Sequence, residues 1–227
     1  MNITQYNENT WIFDEGEVRF FLLTGTKEAL LIDSGMQTKN AKEMAEDITK
    51  LPIKLLNTHA DPDHIGSNGE FEEFYMNPAE AGNYYKSHKG SGKMIPIEDK
   101  DTLDLGDRPL EIISLPGHTP GSIAVLDVKG RLLFSGDPIQ DGNIFMFGDQ
   151  REMHAYILSM EKIIKMQDRF DHIMPSHGTC PVDKEIMPKL KEAAEGLLAG
   201  KYTGRQHNLF GQTVTCYDVF VARFLYD

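Results

Sequence analysis

Cysteine is scarce in this chain: two residues among 227, Cys180 and Cys216, with no CxxC pair. Two isolated thiols supply neither a disulfide framework nor a thiolate zinc cluster, and they suit a reducing, cytoplasmic compartment. Both are expected as small apolar residues near the core. Basic charge is also short. With 23 Lys and Arg against 35 Asp and Glu, the formal net charge is −12, which disfavours a nucleic-acid partner or an anionic membrane held by a broad basic face. No apolar run approaches the length that spans a bilayer. The first nine residues, Met1 to Asn9, carry no basic n-region or apolar h-region, so no secretory signal is expected there. Internal repeats and low-complexity linkers are missing, as is any Ser-His-Asp arrangement. The charge argument covers macromolecular partners only, and nothing indicates an oligomeric state.

What is present is an ordinary balance, 40% hydrophobic and 26% charged residues, enough for one α/β domain over residues 1–227 with a sizeable core. Val18 to Leu23 and Ala29 to Ile32 form an expected hairpin around Gly25-Thr26-Lys27. Thr38 is placed to cap a helix through Ala41, Met44, Ala45, Ile48 and Leu51, with Pro52 ending it. Ile53 to Asn57 is a buried strand, and Ala79 to Tyr85 a short helix. His88 to Asp101 reads as a mobile polar loop. Strands follow at Leu110 to Leu115, Ile123 to Val128 and Arg131 to Phe134. Glu152 to Asp168 is an amphipathic helix, Phe170 to Met174 a strand, and Val182 to Ala199 a helix stopped by Gly200. Thr213 to Leu225 is a final strand or pair of strands.

Polar clusters stand just after several strands, where α/β proteins commonly place their chemistry. Asp33 follows Ile32. Thr58-His59-Ala60-Asp61-Pro62-Asp63-His64 packs two imidazoles and two carboxylates into six positions. His118, Asp137 and His177 each follow a strand and lie beside Gly. Imidazole nitrogen and carboxylate oxygen are ligands for zinc and also serve iron and manganese. Gly and Pro fix tight turns from which short side chains can converge.

These residues resemble the metallo-β-lactamase superfamily, whose signature is Thr-His-x-His-x-Asp-His followed by a distant His, Asp and His. The matching segments are Thr58 to His64, Leu-Pro-Gly-His118-Thr-Pro-Gly-Ser, Phe-Ser-Gly-Asp137 and Pro-Ser-His177-Gly, with Asp33 in Leu-Ile-Asp-Ser-Gly at the family's early aspartate. The resemblance implies an α/β fold, an αβ/βα sandwich of two mixed β-sheets with helices on the outer faces. It implies two divalent metal ions, zinc first. His59, Asp61 and His118 would hold one, Asp63, His64 and His177 the other, with Asp137 bridging. Asp33 would hold a ligand or the motif's backbone rather than a metal. The activity implied is that of a metal-dependent hydrolase, using a metal-bound hydroxide on an ester, thioester, lactone or phosphodiester of a small-molecule substrate, with Asp63 orienting the nucleophile or relaying a proton to the leaving group. Compact length places the chain nearest the small glyoxalase II-like hydrolases.

One position departs from the pattern: Asp61 stands where the family has its second His. Either Asp61 is a ligand, or it turns away and only the second metal site fills. As a ligand it makes a less positive centre, a weaker Lewis acid, and its hard oxygen tilts selectivity towards iron or manganese. It also echoes the Glu at that position in flavodiiron proteins. The alternative function is therefore a di-iron redox protein related to flavodiiron oxygen or NO reductases but lacking their flavin domain.

Phe145 and Phe147 follow Asp137 closely, in an apolar loop that either walls the substrate or packs the sheet edge. Lys189, Lys191, Lys201 and Arg205 form no clear glutathione-binding cluster and are expected on solvated faces. His154 and His172 are expected in structural or surface roles, while Tyr84, Tyr85 and His88 lie on a segment that could border the pocket.

Overall fold

The computed structural model describes residues 1–87 and 92–227. The chain forms two compact units, Met1–Ile113 with Val125–Lys129, and Ser114–Ala124 with Gly130–Asp227.

The first unit is built on a seven-stranded mixed sheet ordered β1 to β7: β1 (Asn2–Asn7), β2 (Thr10–Asp14), β3 (Arg19–Thr24), β4 (Ala29–Ile32), β5 (Ile53–Leu56), β6 (Glu73–Met76) and β7 (Lys93–Pro96). The first four strands run antiparallel, whereas β4 to β7 are parallel. Helix α1 (Ala41–Ile48) connects β4 to β5, and α2 (Ala81–Ser87) lies between β6 and β7. Every residue of β4 is buried, as expected of a strand paired on both sides and covered on both faces. Ala41 and Ala45 of α1 join Phe13, Phe20, Leu22, Leu31, Leu55, Phe74 and Tyr84 in one apolar cluster. Strands β8 (Thr102–Asp104) and β9 (Pro109–Ser114) pair antiparallel. The unit boundary falls within β10 (Ile123–Asp127).

The second unit contains β11 (Leu132–Gly136), β12 (Asn143–Met146), α3 (Met153–Ile164), β13 (His172–Pro175), α4 (Ile186–Leu198), β14 (Arg205–Leu209), β15 (Gln212–Val219) and β16 (Ala222–Tyr226). β11 and β13 are parallel. The other four strands form a sheet ordered β12-β16-β15-β14, in which β12 is parallel to β16 and the rest antiparallel. Helices α3 and α4 pack together.

Several local expectations change. The helix after β4 starts from Asn40, whose side chain makes no cap bond. The Thr38 amide instead donates to Glu15 Oε1 at 2.8 Å, so Thr38 belongs to the preceding loop. The helix ends at Ile48, with the Thr49 amide bonded to the Ala45 carbonyl, well before Pro52. Of the expected loop 88–101, residues 88–91, including His88, lie outside the described residues, and 93–96 pair with β6 as β7. The apolar segment after Asp137 is a strand rather than a loop, because its backbone groups pair with β16 some eighty positions on. Val182 forms a bridge with Ile173, and α4 begins only at Ile186. β1, β2, β6, β8 and β14 were not anticipated: β1 and β14 are mostly exposed, so neither alternates strongly between apolar and polar, and β6 and β8 are only four and three residues long.

Candidate metal centre

In the first unit, β5 delivers the chain into the turn from Asn57 to His64. Asn57 fixes that turn from inside. Its amide donates to the His64 carbonyl at 2.9 Å and pairs with Asn68, while the Ser34 hydroxyl donates to Asn68 Oδ1 at 2.7 Å. Asp33 holds the left-handed backbone conformation, φ 62°, which Asp and Asn tolerate better than bulkier residues. Its carboxylate is buried. Oδ1 accepts the Thr58 amide at 2.7 Å, and Oδ2 accepts both the Thr58 hydroxyl at 2.8 Å and His64 Nδ1 at 2.8 Å.

Those bonds settle the tautomers. A carboxylate only accepts, so His64 carries a proton on Nδ1, and the neutral ring then offers its lone pair at Nε2. The Thr58 hydroxyl spends its proton on Asp33, so it accepts from His59 Nδ1, 3.0 Å away, and His59 likewise presents Nε2. One buried aspartate thus prepares two imidazoles whose rings lie 4.0 Å apart. Each Nε2 faces a carboxylate: His59 meets Asp61 Oδ2 at 3.6 Å, and His64 meets Asp63 Oδ2 at 3.6 Å.

In the second unit, the parallel register sets Gly136 beside Pro175, so the next turns carry Asp137 and His177 forward together. Helix α3 anchors the remaining loops. The Glu152 amide donates to the Gly117 carbonyl at 2.9 Å, and the Tyr156 hydroxyl donates to the Pro138 carbonyl at 2.8 Å. Burial pushes the Tyr156 phenol far up, so it stays a neutral donor. His118 Nδ1 donates to the Phe145 carbonyl at 2.8 Å, leaving Nε2 towards Asp137 Oδ2 at 3.4 Å. The other oxygen of Asp137, Oδ1, lies 3.3 Å from His177 Nε2.

Four imidazole–carboxylate separations of 3.3 to 3.6 Å are longer than the usual hydrogen bond between such groups. They match ligand atoms sharing an ion: two donors about 2.05 Å from one tetrahedral metal stand roughly 3.3 Å apart. The donor set, imidazole nitrogen with carboxylate oxygen, therefore fits divalent metal in both units. His59, Asp61, Asp63 and His64 are brought together in the first, and His118, Asp137 and His177 in the second.

Other candidates fall elsewhere. Phe145 and Phe147 are partly buried against Val214, Cys216 and Leu225, and Cys180 is half-buried. Tyr84 is fully buried against Phe74, while Tyr85 is exposed. His154 is exposed and contacts Glu152, and His172 is exposed. Lys191 pairs with Glu195 and Glu161, while Lys189, Lys201 and Arg205 are exposed. Sequence reasoning missed the Phe145 carbonyl, since a backbone group leaves no mark in composition. It also missed Glu80, which accepts the Ala60 amide at 2.9 Å, and Asn83, which donates to Asp61 at 3.3 Å.

Clusters of candidate metal ligands beside mixed β-sheets with flanking helices fit a metal-dependent hydrolase. The family model for the metallo-beta-lactamase superfamily matches residues 14–178, and the chain belongs to that superfamily. It is 24% identical over 199 residues to the human acyl-coenzyme A thioesterase MBLAC2, covering 69% of this chain and 71% of that one. It is also 33% identical over 105 residues to a hydroxyacylglutathione hydrolase of Gloeobacter violaceus, covering 45% of this chain and 42% of the relative. Among solved structures, a metallo-beta-lactamase from Pontibacter korlensis superposes with a TM-score of 0.73 at 19% identity, over 86% of this chain and 98% of that one. The fold is that of the metallo-β-lactamases. Among the described residues, no helix is long and apolar enough to cross a membrane.

Proposed function

We propose that this chain hydrolyses small-molecule thioesters with two divalent metal ions, zinc in the first instance. His59, Asp61 and His118 hold one ion, Asp63, His64 and His177 the other, and Asp137 both, an allocation that rests on the order of the motifs along the chain. The observation that carries the proposal is the Asp137 carboxylate, which turns one oxygen to each of two imidazoles at 3.4 and 3.3 Å.

When bound, the ions would lower the pKa of water and polarise the substrate carbonyl. The protein's own groups do the rest. Asp33 keeps His59 and His64 in the tautomer that offers Nε2. Asp63, whose side chain is 27% exposed, orients the attacking water and accepts its proton. Phe145 and Phe147 form part of the wall for the acyl group. Water adds its oxygen to the acyl carbon, the C–S bond breaks, the sulfur takes the proton held by Asp63, and the second proton passes to solvent, so a carboxylate and a thiol leave.

Two considerations favour a thioester. The acyl-coenzyme A thioesterase and hydroxyacylglutathione hydrolase relatives are named for cleaving that bond. A centre with three carboxylates is also a weak Lewis acid, and a thiol with a pKa near about 8.5 leaves with little assistance. The test is a panel on metal-loaded protein: acyl-coenzyme A, acyl-glutathione, a lactone, a β-lactam and a phosphodiester. Thioester kcat/KM should exceed the others by roughly 100-fold or more. A preference for the lactone, β-lactam or phosphodiester overturns the substrate class.

A further inference from the structure

The helical segment after β6 reaches back to the first ligand turn at two points. It begins with one 3-10 turn, Pro78–Glu80, whose start is fixed by Asn77 accepting the Ala79 amide at 3.0 Å, and it continues as α2. On such a path Glu80 and Asn83, three positions apart, share a face. Tyr84 fixes how that face is presented, since its ring is fully buried 4.8 Å from Phe74.

Glu80 is also fully buried. A carboxylate removed from water is costly unless hydrogen bonds compensate it. One of those bonds comes from the amide of Ala60, the residue between His59 and Asp61, at 2.9 Å. Asn83 is half-buried and acts on the next side chain: its Nδ2 donates to Asp61 Oδ1 at 3.3 Å, while Asp61 Oδ2 faces His59 Nε2 at 3.6 Å. The amide orientation follows from chemistry, because only the NH₂ end attracts a carboxylate.

The two contacts address the one position that departs from the family motif. A histidine offers one nitrogen in a fixed direction. An aspartate is shorter and has two equivalent oxygens, so it needs something to decide which oxygen points to the metal and to stop it rotating or binding through both. We propose that Glu80 and Asn83 are the positioning residues that make Asp61 a one-oxygen metal ligand: Glu80 sets the backbone ahead of it, and Asn83 ties down one oxygen so that the other faces the ion. This rests on the reading of Asp61 as a ligand.

The experiment measures the affinity of both metal equivalents by chelator competition, with zinc and separately with manganese, on the full chain. The variants are Asn83→Ala, Asp61→Ala and the double variant. Asn83 is half-exposed, and thermal unfolding of each metal-free variant checks folding. Asn83→Ala should weaken one equivalent about 10- to 100-fold and leave the other unchanged. In the Asp61→Ala background it should have no further effect, because a residue acting only through Asp61 has nothing left to act on. A purely structural role would persist in that background and overturns the proposal. So does Asn83→Ala binding both equivalents as tightly as the parent while Asp61→Ala loses one, with Asp61 still a ligand. If Asp61→Ala keeps both affinities, the ligand reading itself fails and the proposal falls with it.

Discussion

Asp33 Oδ2 stands 2.8 Å from His64 Nδ1, and the same oxygen accepts the Thr58 hydroxyl that orients His59. One buried carboxylate therefore governs two of the four imidazoles. Asp33→Asn keeps the left-handed backbone and an acceptor for the Thr58 amide, but it places an NH₂ or a single acceptor against three donors. Metal affinity should fall about 10- to 100-fold, with a stability loss of about 1–3 kcal/mol. Chelator competition and denaturant unfolding measure the two effects, and an unchanged affinity would remove Asp33 from the site's support.

Gly117 precedes His118 with φ 135°, and a Cβ there would lie 2.4 Å from both Tyr156 N and Cα. Backbone cannot yield as a flexible side-chain tip can, so Gly117→Ala should cost about 2 kcal/mol or more and weaken metal binding by displacing His118. Gly148 also has a positive φ, 83°, but nothing lies near its position. Gly148→Ala should cost only the strain of about 1–2 kcal/mol and spare metal binding. Equal losses at both positions would show that close packing against α3 does not hold the His118 loop.

Phe147→Ala tests the substrate wall. As part of that wall, it should raise KM severalfold for longer acyl groups and leave kcat within about twofold. A lowered melting temperature with unchanged KM would assign Phe147 to packing against Val214, Cys216 and Leu225 alone.

The loop after Asp33 depends on Glu15. Burial pushes the Glu15 carboxyl up, but hydrogen bonds from the Thr38 side chain and the amides of Gln37, Met36 and Thr38 outweigh it and hold the pKa below its usual 4.5. A depressed folded-state pKa stabilises fully above the unfolded value and is lost as pH falls through the folded one. Stability should therefore decline below pH about 4.5, and Glu15→Gln should flatten that decline while lowering stability at neutral pH. Denaturant unfolding from pH 3 to 7 checks this, and an unchanged acid limb would contradict it.

How far the sequence reveals all this depends on where each bond partner lies. Gly stands beside His118, Asp137 and His177, and Pro62 lies within the run from His59 to His64, so the turns that carry the candidate ligands could be read directly. The two apolar runs and the helix between them could be read from the sequence, whereas the parallel pairing of β4 with β5 is visible only in the structure. Glu80 and Asn83 were hidden because each makes its contact about twenty positions back, through a short helix whose facing is set by Tyr84. The Phe145 carbonyl was hidden because β12 pairs with a strand near the end of the chain. Asp61 could be recognised as unusual, but the sequence held no sign of the amide that meets it.

The central claim is that two divalent ions are bound per chain and that thioester cleavage depends on them. Elemental analysis of protein purified without chelator, paired with thiol release before and after metal removal, tests it directly. We predict two equivalents per chain, activity lost on stripping, and recovery as the second equivalent is restored. One equivalent or none after full loading would contradict the dinuclear site. Iron accompanied by oxygen uptake, with no thioester turnover, would contradict hydrolysis.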